Sequence, residues 1–235
     1  MTPQPVLTQA LLTSVVEYLK LPLLQIARRA ELEELSGKHA GLKEIRTTAD
    51  AATQLLDNYI LGVQLATQEA ALIDTEPVAI SSVLYKAEQR LRPVARAYGV
   101  ELEMEIEGKY GPVMAHRRGL EAALTSLGYA LIEALPAQQT PQLKLQLSAH
   151  RCRYGIVAGL YCDAEQVTAQ ALRTGRQLYG HARQPLSTMS HTSGAGIFVA
   201  DAILHAMQTQ LTTSRHRKLY GIGVVLPLNP QLSLV

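Results

Sequence analysis

The chain has 235 residues, 47% of them apolar and 18% charged, with 22 basic and 20 acidic side chains for a net charge of +2. That length supports one or two domains with a real core, and the composition is that of a folded soluble protein. The near-balance of charge excludes a dedicated nucleic-acid surface. No window reaches the ~18 uninterrupted apolar residues of a membrane span, and Cys152 and Cys162 form neither a zinc pair nor a disulfide framework.

From Leu7 to about Leu35 the pattern is helical. Leu12, Val16, Leu19, Leu23, Ile26 and Ala30 step by four and three, a heptad seam. Glu17 and Lys20 interrupt the apolar run, so it reads as neither a signal peptide nor an anchor, and a reduced cytoplasmic chain is the simplest expectation. Residues 36–41, with Gly37 and Gly41, break the helix. A second seam follows at Leu42, Ile45, Ala49, Ala52, Leu56, Tyr59 and Val63. Two such helices joined by a short loop predict an antiparallel hairpin over residues 1–70. Leu11, Val15, Leu55, Ile60 and Leu65 lie off the seams. One hairpin cannot bury two stripes per helix, whereas a four-helix bundle of two chains can, so a homodimer is expected. A monomeric helix pair packed on the rest of the chain is the alternative.

Residues 71–235 read as a second domain, entered through a linker at 67–79. A helix from Ser81 or Ser82, as cap, to Tyr98 is closed by Gly99. Val100, Leu102, Met104 and Ile106 alternate with four glutamates, which predicts a strand with one buried and one wet face. A short strand near Val113, a helix from about Arg117 to Leu135, and strands at 143–147 and 154–162 follow. A glycine-spaced stretch, Ser193-Gly-Ala-Gly-Ile197, then runs into an apolar helix, and Tyr220-Gly-Ile-Gly-Val-Val-Leu-Pro-Leu228 closes the chain as a strand. The fold class is therefore α+β, a helical hairpin followed by a two-layer sandwich with helices on one sheet face.

The last two segments resemble the second glycine box and closing strand of the sensor histidine kinase ATPase domain, where family members read roughly Gly-Thr-Gly-Leu-Gly-Leu and Gly-x-Gly-Thr-x-Phe. The order of elements resembles the whole kinase core from about residue 7 to 230, including a Bergerat-type ATPase sandwich. The resemblance implies a phosphoacceptor in the family's His-Glu-Leu-Arg-Thr-Pro-Leu pattern. Aligned on Pro22, this chain reads Glu17-Tyr-Leu-Lys-Leu-Pro-Leu23, so Glu17 stands where the histidine is expected. A glutamate forms no phosphoramidate. It would supply a fixed negative charge, or simply be a solvated helix residue.

The resemblance also implies an asparagine-rich helix that holds magnesium and phosphates. The matching stretch is Leu120 to Leu131, with Ser126 and Ala130 at the two asparagine positions. Magnesium wants oxygen ligands, and alanine offers none. Asp163 stands where the family's adenine-accepting aspartate is expected, but Glu165 and Val167 replace the glycines of that box. Asp163 is either that acceptor or a strand-end residue. Gly194 and Gly196 either cradle phosphate at a helix N-terminus or permit tight packing. Residues 175–190 match the family's mobile lid.

Three departures, at Glu17, at Ala130 and at the lost glycines, lead to the expectation of a degenerate kinase-like scaffold. It would have no catalytic residue and no metal site, and would use ATP and magnesium only if the pocket still functions. Lys20, Leu21 and Gln25 lie where the family docks its response-regulator receiver domain, so a receiver or a partner histidine kinase is the expected partner. The alternatives are a histidine phosphotransferase, a divergent ATP-binding kinase, and a structural dimerisation module. Arg215-His-Arg-Lys218 reads as a solvated hairpin loop, and the remaining histidines show no metal-ligand spacing.

Overall fold

In a computed structural model, residues 23–33, 35, 41–68, 73–134, 144–163 and 193–228 are described. Residues 23–33 form helix α1 and Leu42–Thr67 form α2. The second domain runs β1 (Glu76–Val78), α3 (Ile80–Ala97), β2 (Glu101–Ile106), β3 (Val113–Ala115) and α4 (Arg117–Ala134). It continues with β4 (Lys144–Cys152), β5 (Gly155–Cys162), α5 (Ser193–Ala206), β6 (Leu211–His216) and β7 (Leu219–Leu226). The architecture is the expected α+β one. A five-stranded sheet has the order β2-β4-β5-β7-β6, with only β2–β4 parallel, and β1 pairs antiparallel with β3 in a separate ribbon.

One face of the sheet carries Leu145, Leu147 and Ala149 from β4, Ile156, Ala158 and Leu160 from β5, and Ile222 and Val224 from β7. These form a single core with Val83, Leu84 and Leu91 of α3, Leu120, Leu124, Leu127 and Leu131 of α4, and Ile197, Ala200 and Ile203 of α5. The alternation along β4 places these residues on one side because successive side chains of a strand point to opposite faces.

Two helix ends explain local features of the sequence. After α3 the chain enters the left-handed region at Gly99, φ +69°. Gly99 N–H donates to Arg96 O and Val100 N–H to Ala95 O, at 3.2 and 2.8 Å, a paired closure that needs a residue tolerant of positive φ. The same pair of bonds closes α5, from Gln208 to His205 O and from Thr209 to Leu204 O, but here Gln208, φ 58°, takes the left-handed position. The start of α3 differs from expectation. The N-cap is Ala79, without a side-chain cap bond, and Ser81 and Ser82 lie inside the first turn.

The alternation of β2 is less clean than its sequence. Leu102 and Ile106 pack on the core, but Met104 is exposed. β2 is an edge strand, so the helical layer covers it incompletely.

The helix-free face of the sheet is not simply wet. All eight residues of β5 are buried. The tip of the β6–β7 hairpin lies across this face: His216 stacks on His150 of β4, and Arg217 ion-pairs with Glu105 and Glu107 at the far edge. Glycines make this curl feasible. A Cβ on Gly221 would sit 2.3 Å from the Tyr161 ring, and one on Gly159 would sit 2.9 Å from Gly223 Cα.

Candidate functional site

The helix that matches the family's metal-binding helix is α4, and its side chains can be followed one by one. Ser126 is fully buried. Its hydroxyl accepts a 3.1 Å hydrogen bond from Asn58 Nδ2 of α2, and the same amide makes a longer 3.4 Å bond to Ala122 O. Asn58 is itself 2% exposed, and Gln54 Nε2 donates to its Oδ1 at 3.0 Å. Ser126 thus faces the helical hairpin. Asn58, which the sequence reading passed over, is its partner.

Ala130 is fully buried and faces α5. A Cβ placed on Gly196 would lie 2.4 Å from Ser126 O and 2.9 Å from Ala130 Cβ. The two helices are therefore in direct contact at Gly196. Gly196 serves this contact: it allows the backbone of α5 to touch that of α4. Ser193 through Gly196 already belong to α5 rather than to a turn before it, so Gly194 lies in the first turn of the helix. Gly196 makes the close packing that the sequence allows it.

Glu121, one turn earlier on α4, turns the other way. It is 4% exposed and is held by Lys86 at 3.0 Å and Arg90 at 3.9 Å, both from α3. Burial of a carboxylate is tolerable only with such partners. Tyr129 also points to α3, where its hydroxyl donates to Arg90 O at 3.4 Å. Gly128 lets α3 approach, since a Cβ there would meet Leu91 Cδ1 at 2.3 Å. Phe198 is half-buried against the core.

Asp163 follows β5 directly and is exposed. The positions of Glu165 and Val167, and the whole lid segment, fall outside the described residues, as do Glu17, Lys20, Leu21 and Pro22. Gln25 is on α1 and half-buried.

Among the described residues, a polar cleft of about 520 Å³ opens between α2, α3 and α4, lined by Gln54, Asp57, Arg90, Arg118 and Glu121 among others. It lies on the hairpin side of α4, away from Gly196 and Asp163. The oxygen that Ser126 offers is hydrogen-bonded to Asn58, and Ala130 offers none.

The contact between α2 and the sandwich is extensive beyond Asn58. Ala52, Tyr59 and Leu65 are buried, and Gly62 sits against Ile203 and Val199 of α5, where a Cβ would lie 3.3 Å from Ile203. Burial raises the Tyr59 hydroxyl above its ordinary pKa. By contrast, Leu23, Leu24, Leu32, Leu35, Leu42 and Ile60 are exposed on the hairpin.

No protein-family model and no curated protein matches the sequence. Solved structures do match. The chain is similar to the histidine kinase AdeS of Acinetobacter baumannii, with 15% identity over 90% of this chain and 97% of that one and a TM-score of 0.55. It is similar to ShkA, solved full-length in complex with AMPPNP, with 14% identity over 92% of this chain and 45% of that one and a TM-score of 0.54. It is also similar to the catalytic domain of the histidine kinase ThkA, with 11% identity over 67% of this chain and 98% of that one and a TM-score of 0.50. Taken with the helical hairpin and the layered sheet, these define the fold: the chain has the architecture of a histidine kinase catalytic core. Among the described residues, no helix is long and apolar enough to cross a membrane.

Proposed function

We propose that this protein is a dimeric signalling scaffold built on the histidine kinase core, one that binds a receiver domain or a partner histidine kinase and carries out no phosphotransfer of its own. The observation that carries this reading is the reassignment of α4. Ser126 is bonded to Asn58, and Ala130 is packed against Gly196. Glu17 at the phosphoacceptor position supports it, because phosphotransfer through the hairpin needs a histidine there. Asp163, Gly194 and Gly196 then serve the fold rather than a nucleotide, and neither ATP nor magnesium is a resident cofactor.

The exposed leucines of α1 and α2 support a homodimer, since apolar side chains spread along a hairpin are what a four-helix bundle covers. Within that bundle Lys20, Leu21 and Gln25 form the partner-docking patch, and the proposed setting is the cytoplasm. A histidine phosphotransferase would require a phosphohistidine on this chain, and an active kinase would require a rebuilt magnesium site.

The test is calorimetry and thermal unfolding with a non-hydrolysable ATP analogue and magnesium. A ligand at 100 times its Kd stabilises a fold by about 2.7 kcal/mol. The expected result at millimolar nucleotide is no shift, together with receiver or partner-kinase binding that weakens on substituting Lys20 and Gln25 while the dimer persists. A clear shift with magnesium would overturn the loss of nucleotide binding. Loss of the dimer with the same substitutions would place these residues in the bundle core instead.

A further inference from the structure

The β6–β7 hairpin turns through Arg217 and Lys218, both at positive φ, 46° and 73°. Two successive left-handed residues make the tight mirror-image turn that Asn-Gly favours, and neither arginine nor lysine favours it. The turn adds little itself, so beyond the β5–β7 and β6–β7 ladders the tip of the hairpin is held by its contacts across the sheet. Tyr161 and Ser214 share a hydrogen bond of 2.9 Å. Arg217 binds Glu105 and Glu107. Between these, His216 stacks on His150 with ring centroids 4.2 Å apart and planes 6° from parallel. Tyr161 closes the cluster from β5, with its ring 5.9 Å from His150 and 5.5 Å from His216.

Both imidazoles carry an unsatisfied nitrogen. His150 Nδ1, His216 Nε2 and Ser148 Oγ are buried without a hydrogen-bond partner. His216 is 9% exposed and Ser148 is fully buried. The groups facing the stack are Glu105 and Glu107 from β2 and its end, Ser148 and Cys152 from β4, Tyr161 from β5, Ser214 from β6, Arg217 from the turn, and Tyr110 close to Glu107. Glu107 lies 3.6 Å from His216 Nε2. A proton on His150 is opposed by burial and by His216, and Glu107 offsets this only in part. Glu107 is already shared with Arg217, and the two rings would carry like charges in van der Waals contact.

We propose that the β6–β7 hairpin is a pH-responsive strap, closed over the sheet while His150 is neutral in its stack with His216 and released when His150 takes up a proton. Burial, and then the charge of His216, lower the pKa of His150. A histidine whose folded-state value is lowered contributes stability that is present above the ordinary pKa of about 6.5 and lost as pH falls through the folded value. Release is therefore on the acid side. It frees the edge strand β6 and uncovers the buried face of β5.

The test is native-state amide exchange of the full chain at pH 7.5 and pH 5.0, compared as protection factors. Protection of β6 and β7 is expected to fall by about tenfold at the lower pH, while that of β4 paired with β5 holds. His150→Phe and His216→Phe keep a flat ring without a titrating nitrogen, and in either variant the fall should vanish. Equal hairpin protection at both pH values, or a fall that survives both substitutions, would overturn the proposal. If neither variant folds, imidazole nitrogen NMR of the wild type decides. Two rings that titrate independently while the hairpin resonances stay fixed would also overturn it.

Discussion

Replacing Asn58 or Ser126 tests whether α2 is locked to the sandwich. The bond between them is 3.1 Å long and joins side chains that are 2% and 0% exposed. Asn58→Ala removes this bond, the longer one to Ala122 O and the acceptor used by Gln54, and it leaves a small void. Each buried polar group left unpaired costs about 1–3 kcal/mol, so a loss of about 2–3 kcal/mol is expected. Ser126→Ala costs less, about 1–2 kcal/mol, because Asn58 keeps its weaker bond to Ala122 O. In Asn58→Ala, the Ser126 hydroxyl can turn back to the carbonyl four residues earlier, which caps the damage.

The double variant should cost less than the sum of the two, by about 1 kcal/mol, which is the energy of the contact itself. Chemical denaturation read by circular dichroism measures all three values, with the slope checked for two-state behaviour. A coupling indistinguishable from zero, with single losses below about 0.5 kcal/mol, would mean that α2 and α4 are apart in solution and that Ser126 is free for another role.

The crowding at Gly196 gives a second prediction. Gly196→Ala puts a methyl 2.4 Å from Ser126 O, so α5 must move off α4. The expected cost is about 1–3 kcal/mol, seen as a lower denaturation midpoint. Ser126→Asn, which restores the family's residue, should destabilise by a similar amount and leave nucleotide binding absent by calorimetry, because the larger amide has to fit beside Asn58. Gln208→Gly should do the opposite, since Gln208 closes α5 at φ 58°. A gain of about 0.5–1 kcal/mol in thermal unfolding is expected from relieving the left-handed residue.

The fold was largely legible because its signals are local. Gly99 announces the end of α3, alternation announces β4, and the apolar run 197–204 announces α5. Where the reading failed, the deciding physics was tertiary. Met104 alternates correctly but is exposed, because β2 is an edge. Arg215 to Lys218 reads as a solvated turn, but His216 is buried and Arg217 reaches an acidic strand 112 residues earlier. The glycines at 221 and 223 were read as part of a family signature, not as the joint that lets the sheet curl. Asn58 was invisible for a different reason. A lone amide in a long helix looks like its wet face, and nothing nearby in the sequence indicates that a serine 68 positions later will bury it.

Ser126, Ala130 and Gly196 belong to one packing decision. The space between α4 and α5 can be filled in two ways: by ligand and the oxygen-bearing side chains that hold it, or by direct helix contact. Gly196 against Ala130 brings α5 into direct contact with α4. With α5 drawn in, Gly62 of α2 can seat on Ile203, and α2 comes near enough for Asn58 to reach Ser126. The three positions are thus coupled through the placement of α5. Enlarging any one of Ser126, Ala130 and Gly196 should therefore weaken the fold.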